Sequence, residues 1–221
     1  MRGEDLSRRS RLERYWEWFV GRTRIEPFIT SRVPRHALSP IYCLGGTTFL
    51  LFVVLAITGM LLAFYYIPTP DGAYDSIRAI TSEVPYGWLI RSVHFYSSNG
   101  MLILAILHMM RVYYTGSYKA PRELNWVAGV LLGLLTLFAG YTGYTLRWDQ
   151  VAVGASGIGR GIVTSVPYLG TMLGSVLWGR GQAETLARYS AMHLLVVPGA
   201  MIVLMAVHFW MVKRHGISGS L

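Results

Sequence analysis

His94, His108, His193 and His208 lie in stretches that hold no Asp, Glu, Lys or Arg. An imidazole set among residues apolar enough to span lipid is a functional candidate by default. The first two are 14 residues apart and the last two 15, close to four helical turns at about 3.6 residues per turn. Each pair therefore lies on roughly one helix face, its members about 21 to 23 Å apart along the axis. Imidazole ligates metals and moves protons. A zinc site needs its ligands to converge within a few ångströms, which two positions so far apart cannot do. Two layers, each closed by one histidine from either helix, suit two iron porphyrins instead. A pair of imidazoles fills both axial positions of a haem iron, which favours electron transfer over oxygen binding. The competing reading of any single histidine is a hydrogen-bonded packing residue, and two matched pairs argue against it.

Matched depth requires helices that run the same way. Four stretches stay uncharged long enough to cross about 30 Å of hydrocarbon, which takes roughly 20 helical residues. They lie at about 43–66, 88–114, 124–146 and 189–212, the second having its uncharged core between Arg91 and Arg111. In an up-and-down series the second and fourth are parallel. His94 then pairs with His193 and His108 with His208, as four-helix bundles place cofactors between facing helices. The expected fold is an all-α membrane protein, a haem-binding bundle of four transmembrane helices over 41–221. A cytoplasmic or interfacial segment over 1–40 precedes it.

Composition points the same way: 53% hydrophobic and 14% charged residues, with positive mean hydropathy, exclude an ordinary soluble domain. The net charge of +9 could suggest nucleic acid, but no basic, aromatic-laced groove pattern accompanies it. Of the 20 Lys and Arg, 14 fall at the termini and between the second and third spans, against 6 in the other two connections. The bias assigns both termini to the cytoplasm and the His94–His193 layer to the outer side. One cysteine, Cys43, excludes an internal disulfide, and by itself reads as a small hydrophobe. The first 35 residues are arginine-rich and lack the apolar core of a cleavable signal. Within them, Arg14–Phe19 mixes aromatic and charged residues as a helix lying in the headgroup region does; a disordered tail is the other reading. The long connection from Arg147 to Arg188 is expected to fold over the outer membrane surface.

Glycines repeat the histidine interval. Gly45 and Gly59 in the first span, and Gly129 and Gly143 in the third, are 14 apart, where a haem wedged between helices would need close backbone approach. Ordinary small-residue packing is the alternative. Arg91 and Arg111 stand three residues outside His94 and His108, placed to pair with haem propionates or simply to anchor helix ends. His36 and His215 lie outside the spans and read as solvated or interfacial.

Taken together, these residues resemble cytochrome b6, the short, split form of cytochrome b in b6f-like Rieske–cytochrome b complexes. The resemblance rests on Tyr42-Cys-Leu-Gly-Gly46, Gly87-Trp-Leu-Ile-Arg-Ser-Val-His94, Gly116-Ser-Tyr-Lys-Ala-Pro-Arg-Glu-Leu-Asn-Trp126, Thr185-Leu-Ala-Arg-Tyr189 and His215-Gly-Ile-Ser-Gly219. It covers nearly all the chain after about residue 40, and the 15-residue interval in the fourth span is that of the split form. It implies that His94 and His193 bind the outer-side haem iron and His108 and His208 the cytoplasmic-side one. The resemblance also implies that the four glycines flank the two b-type haems and that Cys43 carries a third, c-type haem through a single thioether bond. Two positions depart from the pattern: Arg147 stands where proline normally follows Leu146, and Phe95 where a basic residue normally follows His94.

The resemblance further implies the haem subunit of a quinol:cytochrome c (or similar acceptor) oxidoreductase of a respiratory or photosynthetic chain. Electrons would pass from an outer quinol-oxidation site to a cytoplasmic-side quinone site, coupled to proton translocation. No Pro-Glu-Trp-Tyr motif occurs, so the quinol site needs a separate three-helix subunit. The other implied partners are a Rieske iron–sulfur protein, a cytochrome c-type subunit or carrier and a second copy of the complex, in a bacterial inner or thylakoid-type membrane. This chain's share of the outer quinone pocket is expected at Arg147, Trp148, Asp149 and Gly161, and the cytoplasmic one near Lys213. The alternative is a dihaem membrane anchor of a dehydrogenase or hydrogenase. A cofactor-free transporter or scaffold is a third reading.

Overall fold

A computed structural model of the chain describes residues 15–16 and 43–216. The chain divides into two compact units, Met1–Leu38 and Ser39–Leu221. In the first unit Tyr15 and Trp16 are described, both helical and exposed. His36 and the rest of the expected interfacial helix lie outside the described residues.

The described part of the second unit is built from helices: α1 (Leu44–Ala63), α2 (Ala73–Ser82), α3 (Gly87–Tyr114), α4 (Glu123–Thr145), α5 (Gln150–Thr164), α6 (Gly170–Trp178), α7 (Gln182–Ala191) and α8 (Val197–His215). A π-helical turn, Met192–Val196, joins α7 to α8. Among the described residues four helices are long and apolar enough to cross a membrane: α1, α3, α4 and the continuous run Gln182–His215. In the apolar windows of the first three only 11% of the residues are buried. Side chains such as Leu50, Ile57, Leu134, Leu195 and Val203 stand exposed, a surface suited to lipid or another apolar partner rather than to water. Within the bundle, α1 lies along α3 and α4 along α8. Phe52, Met101, Val197, Met201 and Met205 form the core between them.

The fourth span begins at Gln182, earlier than the uncharged stretch suggests. Gln182, Glu184 and Arg188 interrupt the apolar pattern, yet Glu184 and Arg188 form an i,i+4 ion pair at 3.1 Å, which a helix accommodates without loss. That extra stretch belongs to a cap at one end of the bundle. Ala73, Leu146, Trp148, Trp178, Leu186 and Tyr189 share a second core, so α2, the α4–α5 turn, α6 and α7 fold together and the 147–188 connection is structured. Several buried polar groups in this cap are paired, as burial demands. Trp178 Nε1 donates to the Ser156 carbonyl at 2.9 Å and Thr185 Oγ1 to the Trp178 carbonyl at 2.6 Å. Tyr66 OH donates to the Leu146 carbonyl at 2.8 Å. The Arg188 guanidinium donates to the Ser175 and Val176 carbonyls, satisfying the otherwise open C-terminal end of α6.

At the α2–α3 joint, Gly87 approaches the preceding helix so closely that a Cβ there would collide with the Ile80 carbonyl oxygen. Gly87→Ala is therefore expected to destabilise the protein by about 2 kcal/mol or more, the range of severe backbone clashes. The check is a lower midpoint for thermal loss of the assembled protein in detergent; an unchanged midpoint would contradict the close approach.

Candidate functional site

α3 carries His94 and His108 and the α7–π–α8 helix carries His193 and His208, with His215 as its last residue, and the bundle brings the first four together. The rings of His94 and His193 lie with centroids 6.4 Å apart and planes at 73°. Two imidazoles on one metal, each with a bond of about 2 Å and roughly 1.1 Å from nitrogen to ring centre, would put their centroids about 6.3 Å apart. The spacing thus fits one ion ligated from both sides.

Backbone approach from α1 and α4 sets these rings in place. A Cβ on Gly59 would stand 3.1 Å from His94 Cε1, and one on Gly143 only 2.5 Å from His193 Cε1. At the other layer, Gly45 would meet His108 Cε1 at 3.0 Å and Gly129 His208 Cε1 at 3.6 Å. The sequence reading has the glycines making room for a macrocycle; here the nearest atoms are those of the imidazoles themselves. Each glycine faces one histidine, and the four contacts sort into two layers.

Hydrogen bonds orient the first pair. Thr58 Oγ1 donates to the Val54 carbonyl at 2.7 Å, which leaves its lone pairs for His94 Nδ1, 2.8 Å away. Thr142 Oγ1 likewise donates to Phe138 O at 2.9 Å. His193 Nδ1 lies 3.0 Å from the Ala139 carbonyl and 3.3 Å from Thr142 Oγ1. Since carbonyls only accept, Nδ1 is the protonated nitrogen and Nε2 keeps its lone pair, the tautomer a metal requires. Sequence reasoning missed both threonines. Their signal is plain in retrospect: each immediately precedes a layer glycine, as Thr58-Gly59 and Thr142-Gly143.

A cavity of about 90 Å³ is lined by both His108 and His208 together with Phe52, Met101, Met205 and Gly129. A wider cleft of about 220 Å³ continues beyond them past Gly46, Arg111, Arg122 and Asn125. Arg122 Nε, Asn125 Oδ1 and His208 Nδ1 are buried without hydrogen bonds, although Arg122 Nη2 reaches the His215 carbonyl at 3.3 Å. An apolar slot with an imidazole on either side, two arginines at its mouth and orphaned polar atoms beside them fits a planar apolar group with anionic arms. Arg122 and Asn125 escaped the sequence reading because they sit at the loop end of the third span; α4 starts at Glu123 and turns that end toward the cleft. Among the described residues no three His, Cys, Asp or Glu side chains gather to hold an ion.

Other expected residues are placed as follows. Arg91 Nη1 donates to Thr81 Oγ1 at 3.4 Å, tying α3 to α2. Cys43 is half-buried at the start of α1, two residues before Gly45 and hence at the His108–His208 layer. Arg147 lies over the Tyr144 ring at 4.6 Å and pairs with Asp149 at 3.2 Å. Asp149 Oδ1 caps α5 by accepting from Ala152 N at 2.8 Å, the usual role of Asp at that position. Trp148, between them, adopts a left-handed φ of 51° and buries its indole in the cap. Gly161 has open space around it. Phe95 is exposed, edge-on to Tyr96, Lys213 lies in the last turn of α8, and His215 is half-buried.

Comparison with known proteins agrees with this geometry. A family described as cytochrome b/b6/petB matches residues 29–216. The cytochrome b6 of Mastigocladus laminosus is 43% identical over 213 residues, 93% of this chain and 98% of its own. That of Heliomicrobium gestii is 45% identical over 188 residues, 84% of this chain and 88% of its own. A solved structure titled Hyperthermophilic respiratory Complex III superposes with a TM-score of 0.79 at 26% identity, over 92% of this chain. The chain spans 56% of the length of that one. With four membrane-spanning helices and the histidines paired between two of them, the chain belongs to the cytochrome b/b6 family.

Proposed function

We propose that this chain is the haem-bearing subunit of a quinol:cytochrome c (or similar acceptor) oxidoreductase. His94 and His193 would hold the iron of one b-type haem, and His108 and His208 that of a second. The observation that carries the reading is the 6.4 Å facing of the His94 and His193 rings, backed by a glycine on each neighbouring helix. When bound, the haems supply one-electron exchange at two depths. The residues around them hold and insulate: Thr58 and Ala139 accept the Nδ1 protons, and the apolar faces of α1 and α4 exclude water. Arg111 and Arg122, at the mouth of the wider cleft, are placed to hold propionates, with Arg91 as their counterpart at the other layer. Cys43 is the attachment point of a third, c-type haem, consistent with its place beside that cleft.

In this role the subunit carries electrons from an outer quinol-oxidation site to a cytoplasmic-side quinone site, coupled to proton translocation, with both termini cytoplasmic or stromal. Its share of the outer pocket lies at Arg147, Asp149 and Gly161; the buried Trp148 indole shapes that turn from beneath, and Lys213 stands nearest the cytoplasmic site. The cytochrome b6 relatives and the Complex III neighbour support assembly with a three-helix subunit, a Rieske protein and a c-type cytochrome, as a dimer of complexes.

The test is a haem count on the purified complex. Pyridine haemochrome analysis should find two haems that acid-acetone extracts and one that stays, the latter vanishing in Cys43→Ala. His94→Ala, His108→Ala, His193→Ala and His208→Ala should each remove an extractable haem. An unchanged optical spectrum in any of the four would overturn the ligand assignment.

Glycine substitutions should follow the measured clearances. Gly143→Ala is expected to deplete the His193 haem most, Gly45→Ala and Gly59→Ala less, and Gly129→Ala least, since overpacking of a tight site costs about 1–3 kcal/mol and ordinary contact costs little. A haem content equal across the four variants would contradict this order.

A further inference from the structure

α3 is α-helical from Gly87 to Tyr114, so its 14-residue histidine interval, at about 100° per residue, falls roughly 40° short of four turns. The fourth span carries 15 residues between His193 and His208. In a regular α-helix that interval would overshoot four turns by about 60°. The two parallel helices would then differ by roughly 100° in how their second histidine faces, and a span that aimed His193 at His94 would swing His208 away from His108.

The helix is not regular there. Over Met192–Val196 it is a π-turn, in which the Val197 N–H reaches back to the Met192 carbonyl. A single π-turn takes up one extra residue without advancing the helix, so 15 residues rotate as 14 would and the offsets of the two helices agree. All four rings accordingly meet a glycine of α1 or α4. Beyond the turn, Val197, Met201 and Met205 lead by helical steps to His208. Pro198 supplies a local cause. It has no N–H, and its ring excludes the residue-194 carbonyl from the normal i−4 position, so the turn opens beside the proline. Leu195 and Val196 face outward, 74% and 57% exposed.

We infer that the π-turn is a register-correcting joint that aims His193 at His94 while leaving His208 aimed at His108. The inference rests on the bis-histidine reading above. His193 is the ligand, and residues 192–196 are positioning residues that act through it.

Single-residue deletions in the native complex test this. Removing Leu195 takes away the surplus residue inside the turn, and the rest should close to a regular helix with a 14-residue interval. Removing Val203, similarly exposed at 64% but in the regular part, gives the same interval yet shifts Met205 and His208 about 100° against Val197 and Met201. The expected result is a wild-type count of extractable haem for the Leu195 deletion and a count halved for the Val203 deletion. The low-spin haem signal in electron paramagnetic resonance should move at the His94–His193 layer alone in the first. Haem loss in the Leu195 deletion, or equal haem in both, overturns the proposal. Should neither deletion assemble, a density map of the unmodified complex decides it, by whether Val197 N–H bonds to the Met192 carbonyl or to that of His193. Full haem content in His193→Ala would instead refute the ligand assignment itself, a different failure.

Discussion

Everything in this fold answers to one steric constraint: the backbones of α1 and α4 must come into van der Waals contact with imidazoles that project from α3 and the fourth span. A β-carbon at Gly143 would stand 2.5 Å from the His193 ring, closer than any real side chain tolerates. Removing that carbon at Gly45, Gly59 and Gly143 lets the helices close, and at the His94–His193 layer the opposing rings stand 6.4 Å apart. Glycine in a helix costs about 1 kcal/mol against alanine, and the cost is borne at each layer because no other residue leaves the space.

The two layers are built differently. At His94 and His193, threonine hydroxyls and the Ala139 carbonyl take the Nδ1 protons, and the structured cap covers that end. At His108 and His208 no such pair of hydroxyls is present among the described residues. The site instead widens into a cleft edged by arginines. A hydrogen bond to the non-ligating nitrogen makes an imidazole a stronger electron donor and fixes its orientation; an arginine edge compensates negative charge. The chain thus surrounds its two pairs of facing histidines with unlike electrostatics.

The cap shows how a departure from a familiar sequence pattern is absorbed locally. Arg147 occupies a place where proline would stiffen the turn, and the turn is held by other means. The guanidinium rests on Tyr144, an ion pair joins it to Asp149, and Asp149 in turn caps α5. Trp148 accepts a left-handed conformation while its indole is gripped by the Trp178–Tyr189 core. The strain of a non-glycine residue at positive φ persists only where surrounding packing over-determines it.

The four spans, the two histidine depths and the glycine interval are all legible in the sequence, because each is a periodicity along one chain and helix geometry converts spacing directly into face and height. The folded state of the 147–188 connection could be anticipated from its length, but its core could not, since Tyr189 and Trp178 meet through contacts that leave no periodic trace. The same limit hid the extension of the fourth helix to Gln182 and the roles of Thr58, Thr142, Arg122 and Asn125. Those depend on which residues distant in the chain become neighbours, and on backbone carbonyls such as that of Ala139, which are identical at every position until the fold selects one. The 15-residue interval marks the boundary between the two kinds of knowledge. Its excess residue is written in the sequence, and only the π-turn beside Pro198 decides that it is taken up at His193 rather than spread along the helix.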